Sequence, residues 1–168
     1  MLRHPSDAQQ WKDFDAKYQE FHEDPRNVTF ALSTDGMNPF GDRTSTHSTW
    51  PEILSIYNLP PWLCQKRKYL LLTIIISGPK APGIDIDVFL EPLMQEMETL
   101  WKHGVKMCDE LAKSSFTCKA IIFVTITDYP GEFSLLGQIK GFMGCSKCLI
   151  DTAAQFLEGS RKVVYMHH

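Results

Sequence analysis

No apolar run in these 168 residues approaches the ~20 that a membrane-crossing helix needs. The most hydrophobic stretch, Tyr69–Ser77, is far too short for that. The first residues, MLRHPSDAQQ, hold no apolar signal core and give no ground for secretion. Five cysteines, an odd number without framework spacing, do not make a disulfide scaffold; they read as reduced thiols in an intracellular protein. Internal repeats and low-complexity tracts are absent. So is any excess of positive charge: the formal net charge is −3, which argues against strong nucleic-acid binding by this segment alone. The sole basic run, Lys66-Arg67-Lys68, reads either as a solvated loop before a strand or as a weak nuclear signal.

What remains is an ordinary globular composition, 43% hydrophobic and 22% charged, in a length that suits one domain with a real core. Ser6-Asp7 is a candidate cap for a first helix, with Trp11, Phe14, Tyr18 and Phe21 along one face. Val28–Thr34 reads as a strand, Pro51–Tyr57 as a second and Tyr69–Ser77 as a third. Helical spacing follows from about Asp87 to Ala112, and Pro92 argues for a start nearer Glu91. Ala120–Thr127 is an almost unbroken β-branched and aromatic run, expected to be covered on both faces in the middle of a sheet. A short helical segment is expected around Phe133–Ile139, and Lys162–Met166 is a last extended piece. The fold class is α/β with a mixed sheet. Three strands, a helix and a fourth strand open a ribonuclease-H-like fold, though composition alone fits other α+β layouts equally.

Two strands end in the same way. Val28–Thr34 runs into Asp35-Gly36, and Ala120–Thr127 runs into Asp128-Tyr129-Pro130. Open α/β sheets bind ligands at such strand ends. If the strands are neighbours, Asp35 and Asp128 form one acidic site. Hard Mg²⁺ takes oxygen ligands, keeps several waters and needs only one or two carboxylates. An aspartate after a strand is also a common turn former, so both readings stand on the residues alone.

Longer motifs narrow the choice. They are Leu2-Arg3-His4-Pro5, Trp11-Lys12-Asp13-Phe14, Asp24-Pro25-Arg26-Asn27-Val28 and Leu32-Ser33-Thr34-Asp35-Gly36-Met37-Asn38-Pro39-Phe40-Gly41. Tyr57-Asn58-Leu59-Pro60-Pro61-Trp62, Ser77-Gly78-Pro79 and Ile86–Leu93 follow, then Asp128-Tyr129-Pro130, Gly144-Cys145-Ser146-Lys147-Cys148 and Lys162–Met166. In this order they resemble plant CACTA transposases of the En/Spm (tnp2-like) type. The resemblance implies an incomplete ribonuclease-H-like DDE domain. Residues 1–26 would be a helical lead-in, 27–140 the core, and 141–168 a CxxC/His loop with the start of a further segment. It implies Mg²⁺ or Mn²⁺ as cofactor, transposon-end DNA as partner and a nuclear location, with a homo-oligomer left open. Asp35 matches the first acid and Asp128 the second. The third, a glutamate on a later helix, would lie beyond His168, so this chain alone is expected not to cut DNA. Glu91, Glu96 and Glu98 are internal substitutes of weaker standing, because alternating charges on an amphipathic helix usually form its wet face. Two other readings stay open: a captured, non-enzymatic transposase module binding zinc and DNA or protein, and a relic without function.

Cys145 and Cys148 form a CxxC after a glycine-rich stretch. Zinc takes four tetrahedral ligands, of which a CxxC supplies two. The resemblance adds His168 as a third, with His167 beside it. Plain structural thiols compete closely with zinc, and a redox pair is the weakest reading. Cys64, Cys108 and Cys118 read as core fillers.

Overall fold

The structure is a computed structural model, and the residues it describes are 3–41, 47–128, 135, 145 and 148–166. The chain divides into two compact units. The first comprises Met1–Thr34, Pro51–Ile75 and Leu90–Ile126; the second comprises Asp35–Trp50, Ile76–Phe89 and Thr127–His168.

The first unit is built around β1 (Val28–Thr34), β2 (Trp50–Ile56), β3 (Leu70–Ile76) and β6 (Ala120–Thr127), in the sheet order β3-β2-β1-β6. β1 and β2 are antiparallel, from Phe30 opposite Ile56 to Thr34 opposite Glu52. Both are interior strands, and β1 is buried along most of its length. Two expectations about rank in the sheet change here. Among the described residues β6 pairs only with β1, so it is terminal rather than central, and Val124 and Ile126 are exposed. β3, the most hydrophobic strand, is the other edge, with Leu71, Leu72 and Ile75 exposed. A long β-branched run specifies a strand; it does not specify how many neighbours that strand has.

The N-terminal helix is in two pieces, α1 (Gln9–Lys17) and α2 (Gln19–Glu23), broken at Tyr18 where φ is −119° and ψ 60°. Ser6-Asp7 caps neither. Asp7 belongs to a short preceding turn, where its Oδ2 accepts from the backbone N–H groups of Arg3 and His4 at 2.8 and 3.1 Å. The aromatic face survives the break. Phe14 lies 5.0 Å from Tyr18 and 5.7 Å from Phe21, while Trp11 and Phe14 lie 5.1 and 5.5 Å from Phe123 of β6, measured between ring centres. Trp101 closes the cluster against Tyr18 and Phe21.

α4 (Ile86–Lys102) is shorter at its end and earlier at its start than the spacing predicts. Pro92 sits inside it, where it removes the bond to the carbonyl four residues back. That residue, Val88, is 68% exposed. The helix stops at Gly104, whose φ of +66° suits glycine. A Cβ there would lie 2.6 Å from Thr117 Cγ2 and 2.8 Å from the Cys118 carbonyl oxygen. The remainder of the expected helix is instead a hairpin, β4 (Val105–Asp109) and β5 (Ser114–Cys118). Its turn is held by Asp109 Oδ1, which accepts from the N–H groups of Leu111 and Ala112, each at 3.0 Å. Leu111 is therefore 96% exposed rather than part of a helix face. Arg26 fastens the hairpin to the start of β1, stacking 3.9 Å over Phe116 and pairing with Asp109 and Asp24. The guanidinium holds the Asp24 carboxyl down to about 2, with the Arg26 backbone N–H adding to the effect.

Asn27 and Asn58 join four chain segments. Asn27 Nδ2 donates to the Phe21 carbonyl at 2.8 Å, and its Oδ1 accepts from the Lys119 N–H at 2.8 Å. Asn58 Nδ2 donates to the Asn27 carbonyl, while its Oδ1 accepts from the Thr29 N–H. Next to this cluster the Val28 N–H donates to the Lys119 carbonyl at 2.8 Å. β1 and β6 thus start side by side and run in the same direction.

The second unit contains the segment Asp35–Trp50 and a separate hairpin, β7 (Ala154–Leu157) with β8 (Lys162–Tyr165). β8 is the extended piece anticipated at 162–166; β7 falls in what reads as loop from sequence. The expected helix at 133–139 lies outside the described residues, Leu135 apart.

Replacing Asn27 with alanine strands a buried N–H and a buried carbonyl at once. Urea unfolding of this variant is expected to show a loss of about 2–5 kcal/mol. A loss below about 1 kcal/mol would show that the side chain does not set this junction.

Candidate active site

Asp35 and Asp128 each follow directly on a strand of the same sheet. The Val28–Lys119 bond sets Val28 level with Ala120 in a parallel ladder, so Thr34 comes level with Ile126, and β6 runs one residue further. Strands in a ladder are ~4.8 Å apart. Both strands therefore end on one edge, and the two aspartates are the next residues out. Both are exposed. No ion pair engages the Asp35 carboxylate among the described residues.

The described residues on either side of positions 42–46 are tied together. A Cβ on Gly36 would lie 2.8 Å from both Ser48 Oγ and the Trp50 ring, so only glycine fits this approach. Trp50 Nε1 donates to Ser48 Oγ at 2.8 Å, and the Ser48 N–H donates to the Pro79 carbonyl at 2.8 Å. Met37 and Thr49 exchange backbone bonds, both at 2.8 Å. Asn38 Oδ1 accepts from the Phe40 N–H at 3.0 Å.

Two exposed carboxylates on adjacent strand ends fit a hard, hydrated divalent cation such as Mg²⁺ or Mn²⁺. Among the described residues no group of three or more His, Cys, Asp or Glu side chains is placed to hold a metal. Glu91, Glu96 and Glu98 lie on the exposed face of α4; Glu91 accepts from Gln95 and Glu98 pairs with Lys102. Cys145 is 3% exposed and Cys148 half-buried, while His167 and His168 lie outside the described residues. The described residues thus offer two of the four ligands zinc requires. Cys64 and Cys118 are buried as expected; Cys108 is exposed, because it belongs to the β4–β5 hairpin and not to a helix face.

A family model described as transposase family tnp2 matches residues 1–168. The chain belongs to the tnp2 transposase family. No curated protein and no solved structure matches it.

One acidic residue of this transposase chain escapes a motif search. Glu52 of β2 is 0% exposed. Its Oε1 accepts from the Thr34 hydroxyl at 2.6 Å, and its Oε2 has no hydrogen-bond partner among the described residues. Burial pushes its carboxyl above the ordinary value of 4.5, only partly offset by the Thr34 bond. The alternation of Trp50, Glu52 and Leu54, all buried, is the signal in the sequence that places it inward. A carboxyl raised in the folded state contributes stability that is full below its unfolded value and is lost as pH climbs through the folded one. Glu52→Gln is therefore expected to melt close to wild type below pH 4.5 and progressively above it as pH rises to neutrality. A difference between the two that is constant with pH would contradict the raised carboxyl.

Proposed function

We propose that this chain carries part of the catalytic domain of a CACTA (En/Spm-type) DDE transposase. In that reading Asp35 and Asp128 bind Mg²⁺ or Mn²⁺ for cleavage and joining of transposon ends. The observation that carries it is the alignment of β1 and β6, which sends two acids out from neighbouring strands of one sheet. The order β3-β2-β1-β6 supports a ribonuclease-H-like core, with the β4–β5 hairpin inserted between helix and last strand.

Divalent cations held there would supply activation of the attacking oxygen and stabilisation of the leaving one. Asp35 and Asp128 would hold them and fix where the phosphodiester must sit. Gly36 lets the backbone turn close against Trp50 directly after Asp35. Precision of this kind matters, because small misplacements of a reacting group cost large factors in rate. The resemblance calls for three acids and matches two of them here. Metal binding, rather than cleavage, is therefore the property to test first in this chain.

Titrating the purified protein with ~mM Mn²⁺, a range suited to few-ligand Mg²⁺-type sites, is expected to release weak heat in calorimetry. That heat should disappear in Asp35→Asn and in Asp128→Asn, with thermal melting of the metal-free variants unchanged. Equal heats in wild type and the double variant would remove the metal site.

A further inference from the structure

Charge is unevenly distributed along the chain. Between Glu52 and Asp85 there is no carboxylate, yet Lys66, Arg67, Lys68 and Lys80 all lie there. Within the first unit, Lys66, Arg67 and Lys68 are exposed, and none of them makes an ion pair among the described residues. Cations in a folded chain of net charge −3 commonly find acidic neighbours; these three do not.

The same segment presents a large aromatic to solvent. Trp62 is 71% exposed on the short helix α3 (Pro61–Cys64). Its backbone is stiff. Pro60 and Pro61 fix two φ angles, and the buried Cys64 directs its Sγ to the Pro61 carbonyl at 3.4 Å. Successive turns follow, with the Lys66 N–H donating to the Leu63 carbonyl at 2.9 Å and the Tyr69 N–H to the Lys66 carbonyl at 2.8 Å. Lys68 Nζ lies 4.6 Å from the Tyr69 ring centre, which restrains where that charge points. An indole and three cations are thus carried on one ordered, acid-free segment.

This combination matches one chemistry well. Cations neutralise phosphates without regard to sequence, and an exposed aromatic stacks on any unpaired base. We propose that Trp62, Lys66, Arg67 and Lys68 form a docking surface for an unpaired DNA strand, such as a frayed or nicked end. The choice of DNA rests on the transposase reading above; the surface itself rests on the residues of the first unit. Base-paired DNA would use the cations and leave Trp62 idle, so single strands are expected to bind more tightly.

The test is fluorescence anisotropy of a labelled oligonucleotide of about 16 nucleotides, with the full chain, in chelator so that no metal contributes. Trp62→Ala is expected to weaken binding about five- to a hundredfold, with Trp62→Phe retaining most of the affinity. The triple variant Lys66→Ala, Arg67→Ala, Lys68→Ala is expected to lower the slope of log affinity against log salt by about 2, at ~0.7 per phosphate contact on a single strand. Because the titration is made in chelator, affinity that falls in the Trp62 and triple variants is separated from the metal site. Wild-type affinity in both the Trp62→Ala and triple variants would overturn the proposal. So would equal competition by poly-glutamate of matched length, which would mark an acidic protein segment as the partner.

Discussion

The junction of Asn27 and Asn58 is the contact on which the arrangement depends. A primary amide that donates and accepts at once can serve two backbone groups that no regular ladder reaches. Asn27 serves the end of α2 and the start of β6, and Asn58 serves both sides of the start of β1. Together they fix β1 beside β6 in the same direction, although 85 residues separate the last residue of β1 from the first of β6 in the loop-rich connection. Parallel neighbours cannot be joined by a tight turn, so their register must be set by contacts of this kind. Once the starts are aligned, strands of nearly equal length finish together. Two aspartates distant in sequence then leave the sheet from one edge.

Asp35 and Asp128 are both exposed, which suits the proposed metal chemistry. A hydrated Mg²⁺ does not need a closed cage of protein ligands. Exposed carboxylates of fixed backbone position are sufficient to begin one. The contrast with Glu52 is instructive. Its carboxyl is enclosed, bonded to Thr34 and pushed toward the neutral form by burial, so it acts as part of the sheet interior. Exposure and not residue type separates the two kinds of acid.

Much of the sheet was legible in the sequence. β1, β2, β3 and β6 all fall within a residue or two of their β-branched runs, because such runs favour strands strongly and Gly and Pro bound them. Trp11, Phe14, Tyr18 and Phe21 do form one aromatic face, even across the break at Tyr18. The β4–β5 hairpin was not legible. Met107, Cys108 and Leu111 continue the apolar spacing of α4, so periodicity alone extends the helix through Gly104. Only the crowding of Gly104 against Thr117 and Cys118, and the Asp109 turn, make the reversal necessary. Strand rank was equally hidden: β6 and β3 are apolar enough for a sheet centre, yet both are edges. That Asp35 and Asp128 each follow a strand was legible from the sequence, whereas the asparagine junction beside the starts of β1 and β6 was not. Asparagine in a loop ordinarily reads as a turn former, and nothing local distinguishes one that bridges segments.

Whether Asp35 and Asp128 hold one ion, as proposed, can be read directly by metal-directed backbone cleavage. Fe²⁺ substituted for Mg²⁺, with ascorbate and peroxide, cuts the chain near whatever holds the ion. The account predicts two cuts in the same preparation, one beside Asp35 and one beside Asp128, both abolished by either Asp35→Asn or Asp128→Asn. A cut at only one of them, or cuts that persist unchanged in those variants, would contradict it.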